Sequence, residues 1–263
     1  MNLIEIRDLN WHYGDKMILQ DVSLSIKRGN FYAIVGPNGS GKTTLLKNIL
    51  RHLEPEKEAI FVDGKDLMAY SHKGLALQLS AVPQNTQIAY DFSVHEVVMM
   101  GRSAHIRRFS SSTKQDDDIV KGAMMITDTW HLKDASVLEI SGGERQRVII
   151  ARAIAQESQI MVLDEPIANL DINHQIQVLD TVKKLCVEKG LTVITVLHDL
   201  NIAGQYADEI ILVKDGAILD KGAPELVLRE ELIAAVYGDN FYIMTHPMTQ
   251  KPLVIPMSTF MTI

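Results

Sequence analysis

Cysteine is almost absent from this sequence, since Cys186 is the single one among 263 residues. One cysteine cannot form an internal disulfide, so a small secreted scaffold held by disulfides is excluded. Twelve methionines, which oxidising conditions would damage, accompany this scarcity. The composition therefore favours a reducing compartment.

Long hydrophobic runs are also lacking. No apolar stretch approaches the roughly 18 residues that a membrane-spanning helix needs. Near the amino terminus, Glu5, Arg7 and Asp8 interrupt the apolar core that a secretory signal would require. We expect neither a spanning segment nor export by this route, although docking onto a membrane protein stays compatible with the sequence.

Positive charge is in deficit, with 26 lysines and arginines against 33 aspartates and glutamates and a formal net charge of -7. A surface of this sign repels polyanions, so no nucleic-acid partner is expected. The hydrophobic share of 46% is ordinary for a folded chain. A buried core is therefore predicted instead of disorder.

Two kinds of strand pattern occur. Residues 3–9 and 22–26 alternate apolar and polar side chains, which predicts antiparallel strands with one wet face. Three short runs are continuously apolar and predict strands of a parallel sheet covered on both faces: 31–35, 160–163 and 193–197.

Helix signals replace strand signals between about residues 91 and 157, the clearest being the capping-box spacing of Ser93 and Glu96. We interpret this stretch as an inserted helical subdomain. Prolines punctuate residues 241–263, which we expect to form a short C-terminal extension that adds an edge strand or small cap. Residues 1–240 are then the main domain.

A glycine-rich loop lies between a buried strand and a helical pattern. Its glycines let backbone N–H groups curl around an anion, and the following helix N-terminus adds positive character. Lys42 supplies a full charge for the β and γ phosphates, and Thr43 can offer its hydroxyl to Mg²⁺. The predicted nucleotide-binding residues are Gly36, Pro37, Asn38, Gly39, Ser40, Gly41, Lys42, Thr43 and Thr44.

Two adjacent carboxylates, Asp164 and Glu165, end the apolar run that starts at Ile160. Neighbouring side chains on a strand face opposite ways, so the pair divides into two roles. Asp164 would belong to the Mg²⁺ shell, and Glu165 would act as general base or water-orienting group. Strand ends also collect carboxylates for solvation alone. With the loop, this predicts an α/β fold: a phosphate-loop NTPase core with a mixed or parallel sheet, an N-terminal antiparallel β part and the helical insert.

A second glycine pair begins another helix. Ser141 and Glu144 have the spacing of a capping box, which accounts for a helix start but not for Gly142 and Gly143. Glycines in a first turn cost helix stability and expose backbone N–H groups that an anion can approach closely. A second phosphate site is implied.

The segment Ile140 to Arg147 resembles the signature of the nucleotide-binding subunits of ABC transporters, and the resemblance covers nearly the whole chain. It implies that two subunits sandwich two ATP molecules head to tail. Ser141, Gly142 and Gly143 would then contact the γ-phosphate of the ATP bound to the other subunit. Glu144 stands where the family more often has glutamine, so it adds a negative charge near a phosphate.

The resemblance implies further site residues. Tyr13 would stack on adenine, with Trp11 and His12 as neighbouring alternatives. Gln84 would touch Mg²⁺ or water and link the core to the helical subdomain, although a solvent-facing loop glutamine would look the same. His198, which follows a buried run, would contact the γ-phosphate.

The segment Ala168-Asn169-Leu170-Asp171 is similar to the family's loop whose aspartate crosses the dimer interface. Asp171 would be that aspartate. A helix N-cap before Ile176 and Leu179 explains the same residue.

A separate ATPase chain of this length resembles the importer arrangement, and residues 97–105 and 246–256 resemble ATPases of iron-siderophore, haem and cobalamin uptake. The resemblance implies ATP and Mg²⁺ as ligands, a second copy and integral membrane permeases as partners, an indirect link to a substrate-binding protein, and a peripheral place on the cytoplasmic face of the membrane. A soluble ABC-type ATPase in cofactor assembly, or an importer of another metal or an oxyanion, is the alternative. A small-molecule phosphotransferase leaves Ser141, Gly142 and Gly143 unexplained.

Overall fold

A computed structural model describes residues 2–84, 88, 90–107, 110–168 and 170–258. Asn169 of the predicted interface loop and the last five residues of the predicted extension lie outside them. The chain divides into two compact units. Unit 1 comprises Met1–Ala69 and Ile194–Ile263, and unit 2 comprises Tyr70–Val193.

Unit 1 carries two larger sheets and a small one. Its described elements, in chain order, are β1 (Asn2–Tyr13), β2 (Lys16–Lys27), β3 (Phe31–Val35), α1 (Lys42–Ile49), β4 (Ile60–Val62), β5 (Lys65–Asp66), most of β8 (Thr192–Val196), α7 (Leu200–Tyr206), β9 (Glu209–Lys214), β10 (Ala217–Gly222), α8 (Pro224–Val227), α9 (Glu230–Tyr237), β11 (Phe241–Thr245) and β12 (Pro252–Pro256).

The first sheet of unit 1 is antiparallel and has the strand order β2-β1-β4-β5. Ile4 lies opposite Ile26 on one side and Val62 on the other, and all three side chains are buried. The alternation of the sequence places such residues on one face, which packs away from water. The predicted N-terminal antiparallel part is confirmed.

The second sheet of unit 1 is mixed. β3 runs parallel to β9, and β9 pairs antiparallel with β10. All five side chains of β3 are buried, as its unbroken apolar sequence requires. Beyond β8, the Leu197 N–H donates to the Ile34 carbonyl at 3.2 Å, which places that strand end beside β3. The predicted mixed α/β core is confirmed.

Of the two forms expected for the C-terminal residues, an edge strand or a small cap, the structure does not have the edge strand among the described residues, because β11 and β12 pair with each other in a two-stranded antiparallel sheet. Pro252 and Pro256 lie at the two ends of β12, where the missing N–H groups of proline interrupt few ladder bonds. Asn201 of α7 accepts from the Val254 N–H at 2.7 Å and donates to its carbonyl at 3.1 Å. This amide holds the small sheet against α7.

Unit 2 contains the helical insert and two parallel strands. Its described elements are α2 (His72–Ala76), β6 (Leu79–Val82), α3 (Val94–Met99), a 3₁₀ turn (Met100–Ala104), α4 (Lys114–Ile126), a second 3₁₀ turn (Trp130–Leu132), α5 (Gly142–Ala155), β7 (Ile160–Asp164) and α6 (Ile172–Lys189). β6 and β7 pair in parallel. The predicted helical insert is confirmed, and the capping box of Ser93 and Glu96 begins α3 as expected.

Among the described residues, no helix is both long enough and apolar enough to span a membrane.

A buried arginine joins three segments of the helical insert. Arg102 is 4% exposed; its Nε donates to Asp116 Oδ1 at 2.9 Å, and its Nη1 donates to the Ala155 carbonyl and to Glu157 Oε2, each at 2.8 Å. The side chain therefore lies at the C-terminal end of α5. Hydrogen bonds from Thr113, and then from Arg102, lower the pKa of Asp116 to about 2.

Substitution of Arg102 by Met should destabilise the chain by about 3 kcal/mol, because it leaves a buried carboxylate and a helix-end carbonyl short of a donor. Urea unfolding measures this change. Arg28→Met is the matched control, since Arg28 pairs with Asp63 on the surface at 2.5 Å and should contribute less than about 1 kcal/mol. Equal losses of unfolding free energy in the two variants would contradict the conclusion that Arg102 joins the segments of the insert.

Candidate functional site

The glycine-rich loop of unit 1 connects β3 to α1. Gly36 has φ 154° at the loop entry, and an added Cβ would lie 2.1 Å from the Val213 carbonyl oxygen of β9. Gly41 has φ 102° at the N-cap of α1 and offers no side chain to cap the helix. The backbone therefore curls, and the first-turn N–H groups of α1 keep their positive character for an anion.

Lys42 lies inside this curl. It is 5% exposed, and its Nζ donates to the carbonyl oxygens of Gly36 at 2.9 Å and Pro37 at 2.8 Å. Ser40 Oγ is buried and has no hydrogen-bond partner among the described residues. A buried ammonium beside an unsatisfied hydroxyl suits a polyanionic ligand such as a phosphate chain.

The glycine-rich loop also contacts α9, and the sequence did not indicate this contact. The Gly36 N–H donates to the Tyr237 phenolic oxygen. Burial raises the pKa of Tyr237 to about 12, against the lowering effect of that N–H. Lys214 Nζ donates to the Ala235 carbonyl at 2.7 Å, which ties α9 to β9. Long-range packing alone brings this tyrosine to the loop, so no local pattern could reveal it.

Two further predicted residues lie in unit 1. Tyr13 ends β1 with 47% of its surface exposed, and its ring meets that of Trp11 edge-on at 6.3 Å. A ring so exposed is available to stack on a base. His198 is exposed directly after Leu197, and Asp199 beyond it caps α7 by accepting from Asn201 N at 2.8 Å. His198 therefore follows a strand end that lies beside the strand leading into the loop.

In unit 2, Asp164 ends β7 and Glu165 follows it directly. Val82 lies beside Leu163 across the parallel pair of β6 and β7, so Gln84 and Glu165 follow strands that end at the same edge. Gln84 Nε2 donates to Glu165 Oε2 at 2.6 Å. Glu165 has φ 51°, a conformation that costs a non-glycine residue free energy and is common at functional sites. The structure thus joins the predicted water-orienting carboxylate to the predicted glutamine.

The second glycine pair begins α5, with Ser141 as its N-cap. Glu144 Oε2 accepts from the Ser141 hydroxyl at 2.7 Å and from its N–H at 2.8 Å, while the Glu144 N–H donates to Ser141 Oγ at 3.3 Å. The Ser141 hydroxyl and then its N–H hold the pKa of Glu144 below its usual range. The capping interpretation of this segment is confirmed.

The two glycines after Ser141 have different surroundings. An added Cβ on Gly142 would meet no described atom within 4 Å, whereas one on Gly143 would lie 3.3 Å from the His174 ring. Gly142 therefore leaves its backbone open to a ligand, and Gly143 is packed.

Asp171 is the N-cap of α6 and accepts from the His174 N–H at 3.0 Å. The His174 Nδ1 lies 2.6 Å from Asp171 Oδ2. The N–H of His174, followed by its imidazole, lowers the pKa of Asp171. His174 was absent from the predicted site, although its position three residues after an N-cap aspartate could have indicated it.

Mg²⁺ prefers oxygen ligands and commonly takes one or two from protein beside those of phosphates. Thr43, Gln84 and Asp164 offer such oxygens. Within the part of the chain that the structure describes, no group of three or more His, Cys, Asp and Glu is placed to hold a metal alone. Each of these side chains carries the kind of oxygen that Mg²⁺ takes from a protein beside the phosphates of a nucleotide.

Residues 19–168 match the protein-family model described as ABC transporter. The chain is 40% identical over 245 residues to the ferric enterobactin transport ATP-binding protein FepC of Escherichia coli, with 93% of this chain and 90% of FepC covered. It is 38% identical over 251 residues to the hemin import ATP-binding protein HmuV of Gloeobacter violaceus, with the same two shares covered.

Solved structures give the same family. A structure described as a metal-chelate type ABC transporter in an inward-facing conformation has a TM-score of 0.86 at 26% identity, with 98% of both chains covered. The ATP-binding cassette MJ0796, in a dimeric post-hydrolysis state bound to ADP and Pi, has a TM-score of 0.72 at 26% identity, covering 84% of this chain and 98% of that one.

Proposed function

The chain belongs to the ABC transporter family, and we propose that it is the ATP-binding and ATP-hydrolysing subunit of an importer for an iron chelate, haem or a cobalamin-type compound. The observation that carries this proposal is the start of α5, where Ser141 caps a helix whose first turn exposes Gly142. Such a helix start offers amides to a second phosphate, which a phosphotransferase with one phosphate loop would not need.

The loop from Gly36 to Thr44 would hold the phosphates of ATP, with Lys42 as the fixed cation and Tyr13 beneath the adenine. Thr43, Gln84 and Asp164 would hold Mg²⁺, which neutralises charge on the phosphate oxygens when bound. Glu165 would orient or deprotonate the attacking water, and Gln84 supports that carboxylate at 2.6 Å. His198 would contact the γ-phosphate.

A second copy of this chain would complete the site. Ser141, Gly142 and Gly143 of one copy would face the γ-phosphate held by the other, and Asp171 would lie at the junction. ATP would then close the pair and hydrolysis would reopen it, with the motion passed to a membrane partner. The dimeric state of the MJ0796 cassette with ADP and Pi supports this arrangement.

Permease subunits that span the membrane are the partners we propose, with a substrate-binding protein acting through them, and they would place this chain on the cytoplasmic face of the membrane. FepC is named for ferric enterobactin transport and HmuV for hemin import, which supports an iron-containing cargo. We further propose residues 1–240 as the ATPase domain, with its helical subdomain at about 91–157, and 241–263 as a short extension.

Co-purification from detergent-solubilised native membranes tests this function. We expect the tagged chain to bring down a multi-span permease, and the addition of that permease's ferric chelate with its binding protein to raise ATP turnover. Recovery with a soluble assembly partner and no permease would contradict the importer.

Glu144 provides a specific prediction at the signature. A carboxylate at a helix N-terminus is attracted to the positive end of the helix by about 0.3–1 kcal/mol, so the Glu144 carboxylate competes with a phosphate for that end. The same carboxylate also repels the incoming phosphate. Glu144→Gln should therefore lower the KM for ATP by about two- to fivefold. Steady-state phosphate release measures it. Glu96→Gln, in the equivalent capping box of α3, is the control and should leave KM unchanged; a higher KM in Glu144→Gln would contradict the prediction.

A further inference from the structure

His174 lies between two of the proposed interface segments of unit 2. It is in the first turn of α6, and its Nδ1 lies 2.6 Å from Asp171 Oδ2. An added Cβ on Gly143 would lie 3.3 Å from Cγ, 3.4 Å from Cδ2 and 3.5 Å from Nδ1 of the same ring. One imidazole thus contacts the signature turn of α5 and the aspartate that caps α6.

The contact supplies packing that Gly143 cannot supply itself. The capping box of Ser141 and Glu144 fixes the first turn of α5 internally, but Gly143 provides no side chain with which that turn could pack on α6. The ring fills the space beside Gly143, while the neighbouring Gly142 stays open on its own side. The hydrogen bond to Asp171 then fixes the orientation of the ring.

We propose that His174 is a positioning residue that holds the amides of Gly142 and Gly143 at a set distance from Asp171. The signature and the interface aspartate then engage the ATP of a second copy as one unit. The inference rests on the proposed function, because it concerns the direction of amides that would bind the γ-phosphate held by the other copy. In this role His174 acts through the backbone of α5 and not through a contact of its own with the nucleotide.

Two variants separate positioning from mere folding. His174→Ala removes every ring atom near Gly143. His174→Asn keeps atoms at three of these positions, because Cγ, Oδ1 and Nδ2 of asparagine replace Cγ, Cδ2 and Nδ1 of the ring. Its Nδ2 can still donate to Asp171. We expect kcat of the Ala variant to fall about tenfold, a cost typical of slightly misplaced groups, and the Asn variant to stay within about threefold of the unaltered chain.

ATP affinity of a single copy gives the second readout, measured at low protein concentration with a fluorescent ATP analogue. It should be equal in all three proteins, because the loop that holds this ATP does not include His174. A kcat in the Ala variant equal to that of the unaltered chain, or an Asn variant as impaired as Ala, would overturn the inference. Absence of turnover in the unaltered chain would instead overturn the proposed function.

The contact can also be tested without ATP. Gly143→Ala places its Cβ against the ring, so its effect on the midpoint of thermal unfolding should depend on that ring. In the His174→Ala background the space is vacant, and Gly143→Ala should there be more favourable than in the unaltered chain. Strictly additive effects would show that the ring does not pack on Gly143 and would overturn the inference.

Discussion

Glu165→Gln should lower ATP turnover by about 10²–10⁴-fold, the range that a general base contributes, while ATP still binds. The amide keeps the size of the side chain and can still accept a hydrogen bond from Gln84, which contacts Glu165 at 2.6 Å. It cannot take a proton from water. Binding would persist because the phosphate loop and Lys42 are unchanged.

The measurement combines phosphate release with sedimentation velocity in the presence of Mg²⁺ and ATP. We expect the variant to accumulate as an ATP-bound dimer, since hydrolysis no longer reopens it. Glu188→Gln is the control, because Glu188 lies on the exposed side of α6 and pairs only loosely with Lys184 at 3.9 Å. Unimpaired hydrolysis in Glu165→Gln would remove this residue from the mechanism.

Lys42→Ala should raise the dissociation constant for ATP by at least about 10²-fold, because charge-assisted hydrogen bonds are worth about 1.5–3 kcal/mol each and this ammonium would serve two phosphates. The loop would also lose the donor that now bridges the carbonyls of Gly36 and Pro37. Hydrolysis should disappear together with binding. Loss of binding distinguishes this variant from Glu165→Gln.

Isothermal titration with ATP and Mg²⁺ measures the change. Lys47→Ala is the matched control, since Lys47 lies on the same helix with its side chain exposed to solvent. It should bind ATP like the unaltered chain. A Lys42→Ala variant with near-normal affinity would contradict the assignment of the loop as the phosphate site.

Local features of the fold followed from the sequence because each depends on residues a few positions apart. The capping boxes at Ser93 and Ser141 involve partners three residues away. The alternation of β1 and the unbroken burial of β3 follow from the two faces of a strand. Likewise, the positive φ angles of the loop at Gly36 and Gly41 follow from the presence of glycine at these positions.

The C-terminal sheet could not be predicted in the same way. Prolines excluded a helix for residues 241–263, but the choice of strand partner depends on which edges are available in the folded chain. The amide of Asn201 on α7 provides the contact that anchors β12, 53 positions away in sequence. A contact at this separation leaves no periodic pattern.

The sequence by itself determined which chemical groups this protein carries: a glycine-rich loop with Lys42, paired carboxylates at Asp164 and Glu165, and a helix start with two glycines. Each is a short run whose meaning lies in residue type and spacing. Only the tertiary structure decided which groups meet: Gln84 with Glu165, Tyr237 with Gly36, and His174 with Gly143. Those contacts depend on strand order and on the docking of whole helices, because long-range packing selects partners that local propensity does not specify.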